Sequence, residues 1–425
     1  MKPDHVDIAI IGAGAAGLMA AIHAGRTAQE AGASLRIVAL DGAQKIGAKI
    51  LVSGGGRCNV THHTVDADEY AGSSRAAIAK VLRRFTVADT IAFFRALGVE
   101  LKREDTGKLF PTTDSARTVL DALLRAVHDA AVDLRHPWRV SSIERTHSGF
   151  VINGAGSEMT RASRVILCTG GQSLPKSGSD GVGYAIARAL GHTITPRLIP
   201  ALVPITLEAA HTFIPSLPGL STRAKLEVRS STGKRIKSFT NDTLCTHFGL
   251  SGPAPMDISR YLTAARVDDP DAALVINWLP DETFESIDRA LLDLAKRTIL
   301  SFLRERLPER LARALCDHAD VDPATPGAQL SREHRKALAH AITNLQLPVT
   351  GDRGWNHAEV TAGGVPLAEL DLASMESRVC PGLHLAGEVC DVDGRIGGFN
   401  FQWAWASGFV AGTAAASAAC AQQVD

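Results

Sequence analysis

At 425 residues the chain exceeds what one small core can organise, which implies two or three domains. Its 45 lysines and arginines balance 45 aspartates and glutamates, so no global field draws it to nucleic acid or to an anionic membrane, and neither is expected as a partner. Seven cysteines without a C-x-x-C pair exclude a zinc framework and a disulfide scaffold.

Met1 to His5 lead straight into an apolar strand, leaving no room for a charged and apolar leader, so the expected location is the cytoplasm. That strand, Val6 to Ile11, ends in Gly12-Ala13-Gly14-Ala15-Ala16-Gly17, and a helix pattern follows to about Ala31. The order reads as a dinucleotide cradle. Gly12 allows the tight turn, Gly14 lets a pyrophosphate approach the backbone, and Gly17 lets the helix pack on the strand. Negative phosphate then meets the positive helix end. A second apolar run, Leu35 to Leu40, closes on Asp41. Its carboxylate reads as an acceptor for two ribose hydroxyls, the alternative being a solvated turn residue.

Next comes Ser53-Gly54-Gly55-Gly56-Arg57-Cys58-Asn59. Three glycines bring backbone amides close to a partner and Arg57 adds a forked cation, with a flexible surface hairpin as the competing reading. Cys58 reads as a small residue packed against a cofactor in preference to a thiolate stabilised by Arg57. Helical periodicity runs from about Ser74 to Leu97 and from Ser115 to Ala131, with a turn and short extended segment at Gly107 to Pro111 between them. Arg164 to Cys168 reads as a buried strand running into Thr169-Gly170-Gly171, which brings backbone beside a nucleotide. Asp180 to Ala187 mimics a second dinucleotide loop but has no strand before it, so it reads as a loop and helix start, not a nicotinamide domain.

The pattern changes near Gly191. Thr193 to Leu279 alternates in β fashion, and Glu282 to Leu345 turns helical, interrupted by Pro308 and by Asp322 to Gly327. Glycine-rich turns return with His357 to Val365, Gly382 to Glu388 followed by Asp391, and Gly397-Gly398-Phe399-Asn400-Phe401. The low-polarity stretch Trp403 to Cys420 reads as a buried helix in preference to a membrane span. Cofactor-type turns therefore occupy both ends of the chain. This gives a discontinuous α/β nucleotide domain, 1–192 with 350–425, and an inserted substrate or lid domain, 193–349, mainly β over 193–280 and mainly α over 281–349.

Taken in order, G-A-G-A-A-G-L-M-A-A, S-G-G-G-R-C-N-V-T, L-C-T-H-F-G-L-S-G-P, E-V-T-A-G-G-V and A-G-E-V-C-D-V-D-G-R-I-G-G-F-N-F-Q-W-A-W-A-S-G resemble the BaiN-like (YhiN-like) family of FAD-dependent oxidoreductases. The resemblance covers essentially the whole chain. Phe399 and Phe401 stand where the family usually carries Tyr and Leu, and Gly47-Ala48-Lys49 replaces Gly-Arg-Lys. The resemblance implies a Rossmann-like FAD-binding domain of glutathione-reductase type with an inserted β-barrel-like plus helical domain. It places Gly12, Ala13, Gly14, Ala15, Ala16 and Gly17 around the pyrophosphate and Asp41 on the adenosine ribose. Lys49, Gly55, Arg57, Cys58 and Asn59 would line the middle of the cofactor, and Thr169 and Gly170 its adenine half. Glu388, Asp391, Gly398, Phe399, Asn400 and Phe401 would approach the ribityl chain and the ring.

The chemistry so implied is hydride transfer through flavin N5, to or from a carbon-carbon bond conjugated to a carbonyl of a small-molecule substrate. NAD(P)H is the expected transient donor. His247, in Cys245-Thr246-His247-Phe248-Gly249, is the candidate proton donor, with a structural histidine as the alternative; His357 and Ser251 rank below it. Asn400 marks a helix start suited to negative charge on the reduced ring. No second cysteine follows Cys58, which disfavours a dithiol reductase. A flavin-dependent redox-sensing or binding protein without turnover is the competing function.

Overall fold

The computed structural model describes residues 4–424; Met1 to Pro3, on which the reading of the leader partly rests, lie outside them. The chain divides into two units, one formed by residues up to Pro200 together with those from Val360 onward, the other by Ala201–Glu359. These boundaries fall later than 192/193 and 349/350. The short strand Val349–Asp352 pairs with Ile205–Leu207, so its residues belong with the second unit's sheet.

At the centre of the first unit is a parallel sheet in the order Leu383–Leu385, Met159–Leu167, Asp4–Ile11, Ile37–Leu40, Asp133–Arg135. Val38, Ala39, Val165, Ile166 and Leu385 are fully buried, as strands covered on both faces require. The chain leaves Asp4–Ile11 towards one neighbour and reaches the other neighbour much later, so the end of this strand is the switch point of the sheet. Helix Ala15–Glu30 starts there.

The C-terminal helix, Phe399–Val424, packs along Ala15–Glu30 through small residues. A methyl group added at Gly408 would meet the Ala16 carbonyl oxygen at 2.5 Å, and one added at Gly412 would collide with the Ala20 carbonyl. Trp405, Ala406, Ala411, Ala415 and Ala416 are fully buried. By length and composition this helix could cross a membrane, but in this unit it is a core helix.

One periodic segment splits. Residues 74–97 form two helices, Arg75–Leu82 and Val87–Ala96, because Thr86 starts the second with a capping box: its amide donates to Asp89 Oδ2 at 2.8 Å and its hydroxyl oxygen accepts the Asp89 amide.

The second unit carries a seven-stranded antiparallel sheet in the order Leu345–Leu347, Ala273–Asn277, Ser221–Arg229, Arg235–Thr246, Gly249–Ser251, Ile205–Leu207, Val349–Asp352. Its two edge strands are separated in sequence by Pro348 alone, so the sheet curls until its edges adjoin, as a barrel does. Four helices follow in the segment read as helical: Phe284–Leu292, Ile299–Arg304, Glu309–His318 and Arg332–Thr343. A fifth, Pro253–Asp268, interrupts the region read as β. Pro253 opens it, where a missing N–H costs nothing.

Two consequences are measurable. Gly412→Leu forces the helix pair apart at backbone, and unfolding in urea should show a loss of about 1–3 kcal/mol or more, whereas Ser417→Ala on the exposed side of the helix should leave the midpoint unchanged. His23 sits among Phe85, Phe93 and Phe409, its ring 4.7 Å from that of Phe409. Burial pushes its imidazole down to about 4, and Arg26 beside it adds repulsion. Folding then releases a proton between pH 6.5 and about 4, so stability is complete above that window and is lost as pH falls through it, by about 3 kcal/mol at most. His23→Leu should flatten this part of the stability profile.

Candidate functional site

The glycine turn after Asp4–Ile11 is held by its neighbours. Gly12 donates to the Leu40 carbonyl at 2.8 Å, and Asp41 accepts the Ala13 amide at 2.7 Å through Oδ2 and the Ala43 amide at 2.8 Å through Oδ1. Each carboxylate oxygen keeps a lone pair for a further donor. Gly12, at φ +96, lies against the Cys168 carbonyl, and a side chain on Gly17 would penetrate the Gly12 carbonyl. Protein contacts therefore explain two of the three glycines. Gly14 is different: its φ of −77 suits any residue, and no atom lies within 4 Å of where its side chain would begin. No protein contact demands glycine there, and the clearance leaves room for a group from outside the chain. The helix that follows has no acidic residue in its first turn, which leaves the positive pole open.

The start of the C-terminal helix ties the other turns together. Gln402 Oε1 accepts from Thr61 Oγ1 at 2.7 Å and Thr90 Oγ1 at 2.9 Å, while its Nε2 donates to the Phe85 carbonyl. Trp403 donates its indole N–H to the Gly387 carbonyl at 3.0 Å, Ser407 Oγ accepts the Gly387 amide at 2.9 Å, and Trp405 donates to the Val60 carbonyl at 2.9 Å. All four side chains are buried, so each polar atom must find a partner inside the protein. A side chain on Gly398 would strike the Thr61 backbone. The Q-W-A-W-A-S-G motif is thus a clasp on the 58–61 and 387 turns. Sequence reasoning recognised the motif but not this task.

A second network joins more distant segments. Lys49 Nζ donates to Ser173 Oγ at 2.7 Å, Ser179 Oγ at 3.2 Å and Glu388 Oε2 at 2.8 Å. Glu388 Oε1 accepts from Ser173 Oγ and from the Thr361 amide, both at 2.9 Å. Beside this framework, Thr169 Oγ1 and Asn59 Oδ1 are buried without a partner. Leaving such atoms unsatisfied costs about 1–3 kcal/mol each. Thr169 Cα stands 3.2 Å from the position of a Gly12 side chain, so its backbone adjoins the glycine turn while its hydroxyl faces Gly183. The orphaned Asn59 amide oxygen, an open Gly14 and a bare helix N-terminus together fit a dinucleotide such as FAD.

Other expected contacts are engaged within the protein. Arg57 pairs with Glu104 at 2.6 Å and Asp114 at 3.6 Å and lies 4.1 Å above the Phe110 ring; the Glu104 hydrogen bond raises its pKa. Cys58 is buried, and desolvation pushes its thiol up to about 12 against the opposing Ser53 hydrogen bond, a direction that disfavours a thiolate. Phe399 is buried and stacks on His62 at 5.1 Å, while Tyr70 donates to its carbonyl. Phe401 stacks on Trp405. Asn400 spends its amide on Gly394, accepting from N–H at 2.8 Å and donating to C=O at 2.9 Å. Asp391 Oδ2 faces Ser73 Oγ at 3.4 Å, Gly170 adjoins Ser179, and the side-chain direction of Gly55 is open. His247 lies in the second unit, exposed in the turn between Arg235–Thr246 and Gly249–Ser251, edge-on to Phe248. Ser251 and His357 belong to the same unit. No group of three or more metal-ligating side chains occurs among the described residues.

Comparison with known proteins finds four informative matches. The family described as HI0933-like protein Rossmann domain matches residues 6–414. A 3-dehydro-bile acid delta(4,6)-reductase of Clostridium scindens is 34% identical over 96% of this chain and 98% of its own, and a ribosomal RNA dihydrouridine synthase of Escherichia coli is 34% identical over 99% and 98%. Among solved structures, the FrdA chain of an Escherichia coli quinol fumarate reductase superposes with a TM-score of 0.51 at 16% identity, over 100% of this chain and 74% of that one, a likeness of fold.

The open space at Gly14 separates folding from cofactor binding. Gly14→Val meets no protein atom and should keep the melting temperature of the apoprotein, yet lose bound flavin by tenfold or more, read from the ratio of visible to protein absorbance. Gly17→Val should instead unfold the protein.

Proposed function

The chain belongs to the HI0933-like Rossmann family and is an FAD-dependent oxidoreductase; from that premise we propose that it reduces a carbon-carbon double bond conjugated to a carbonyl, with NAD(P)H as the electron donor. The observation that carries this reading is the bond shared by the two relatives. A 3-dehydro-delta(4,6) steroid places its double bonds in conjugation with the 3-oxo group, and the uracil ring that becomes dihydrouracil places its double bond beside the C4 carbonyl. The carriers differ completely, but the reducible unit is the same.

FAD supplies hydride transfer at N5 when bound. In our reading Gly12 to Gly17, with the amides of Ala15 and Ala16, hold its pyrophosphate and Asp41 accepts the adenosine ribose. Thr169 and Gly170 border the adenine half, and Gly55, Cys58 and Asn59 the middle. Lys49 and Glu388 act mainly through each other, fixing the distance between the early glycine turn and the 387–391 turn. Asp391, Gly398, Phe399 and Phe401 form the ring end, and Asn400 anchors the helix start by gripping Gly394. Arg57 shapes the wall through Glu104 and Phe110. His247 is the proposed proton donor to the substrate carbon that does not receive hydride, and the second unit carries the substrate contacts.

A small molecule is the favoured substrate class. The 34% identity to a ribosomal RNA dihydrouridine synthase supports a second reading, a uracil ring within RNA. Anaerobic stopped-flow mixing with NADH or NADPH should bleach the flavin, and a 3-oxo-4,6-diene steroid or unmodified ribosomal RNA should then restore it with product gaining two hydrogens by mass. His247→Asn should slow the second half-reaction by about 10²-fold and leave the first unchanged. Failure of both donors to bleach the flavin removes NAD(P)H. A donor-reduced flavin that no conjugated acceptor reoxidises would favour redox sensing over turnover.

A further inference from the structure

Within the first unit, a three-stranded sheet of Thr61–His62, Lys108–Pro111 and Leu101–Arg103 lies beside the turn that opens the C-terminal helix. Its cations are disposed unequally. Arg57, the cation the glycine motif pointed to, is neutralised by Glu104 and Asp114, and Lys102 is neutralised by Asp114. Lys108 has no hydrogen-bond or ion-pair partner for its ammonium group among the described residues. Its chain runs to the helix turn: Cε stands 3.7 Å from where a Gly397 side chain would begin. The paired position across the sheet is His62, whose ring stacks on Phe399 in that same turn and whose nitrogens face the Thr64 and Thr106 carbonyl oxygens. His62 therefore props the turn while the Lys108 charge stays free.

We propose that Lys108 supplies the fixed positive charge at the ring end of the cofactor site. It stabilises the negative charge that the isoalloxazine gains on reduction, together with the N-terminus of helix Phe399–Val424. This inference rests on the FAD reading above and on the placement of Gly398 to Phe401 at the ring end. The physical reason is simple: a half-buried ammonium without a counter-ion favours whichever redox state of a nearby group is more negative.

The test uses the FAD-loaded protein. Sulfite adds to flavin N5 and leaves negative charge on the ring, so its affinity reports local positive charge without any turnover. Lys108→Met should weaken sulfite binding at least tenfold and lower the two-electron potential correspondingly, about 30 mV for each factor of ten. Lys108→Arg should restore both to within about threefold, and flavin content should be unchanged in both variants. Sulfite affinity and potential within a factor of two of the parent in Lys108→Met would overturn the assignment while leaving FAD binding intact. So would equal losses in Met and Arg variants, which would signal packing. A parent protein that binds no FAD would instead sink the functional reading itself.

Discussion

The close approach of the first and last helices is the constraint on which the rest of this protein depends. Helices carrying ordinary side chains pack with axes 8–10 Å apart, and only small residues let backbones come nearer. Here Gly408 and Gly412 face the carbonyls of Ala16 and Ala20, so the C-terminal helix lies directly on the helix that follows the phosphate-type turn. Residues almost four hundred positions apart in sequence thereby share one core. The Gly387 turn is drawn in as well, since a side chain there would press on Ala16 Cβ.

Once the helices are seated, polar side chains at the helix start set the turns. Gln402, Trp403, Trp405 and Ser407 combine apolar bulk with an N–H or O–H that burial obliges to find a partner. Their partners are backbone carbonyls, amides and threonine hydroxyls of the very segments a cofactor would touch. Packing of the helix and placement of these turns are therefore coupled. The Lys49–Glu388 pair works to the same end from the other side. Both partners are only partly exposed and each makes additional hydrogen bonds, the condition under which such a pair specifies geometry well without being an independent source of stability.

The parts of the molecule legible in the sequence are those governed by short-range rules. The strand, glycine turn, helix and acid at the N-terminus follow from local sterics and from a single periodicity, and so does the buried character of the last helix. What escaped was set by tertiary partners. Thr86 breaks a helical stretch because Asp89 completes its cap, and Pro253 opens a helix inside a region of alternating residues. Arg57 looked like the free cation of its loop because Glu104 and Asp114 arrive from other turns, and no spacing rule anticipates them. Lys108 was invisible for the converse reason: it has no motif, and its meaning lies in what does not pair with it. Likewise, Asn400 sits where a helix start could face a ring, but its amide is turned back on Gly394.

The contrast between two similar glycine stretches bears on how electrons must move. Asp180 to Ala187 resembles a second dinucleotide loop, yet its glycines answer to protein atoms. The Gly181 amide donates to the Gly171 carbonyl at 3.0 Å, and a side chain on Gly183 would occupy the Thr169 hydroxyl. Gly14 in the first turn instead combines ordinary dihedrals with open space at a bare helix N-terminus, as a phosphate cradle requires. Of these two stretches, the first alone has the form of such a cradle. On the proposed NAD(P)H chemistry, a donor without a second cradle of that kind would share the space over the flavin ring with the acceptor. Donor and acceptor would then alternate, the oxidised nicotinamide leaving before the conjugated bond arrives. A site arranged this way would gain by holding negative charge on its ring through the interval, which is the purpose the proposed Lys108 charge near the helix start would serve.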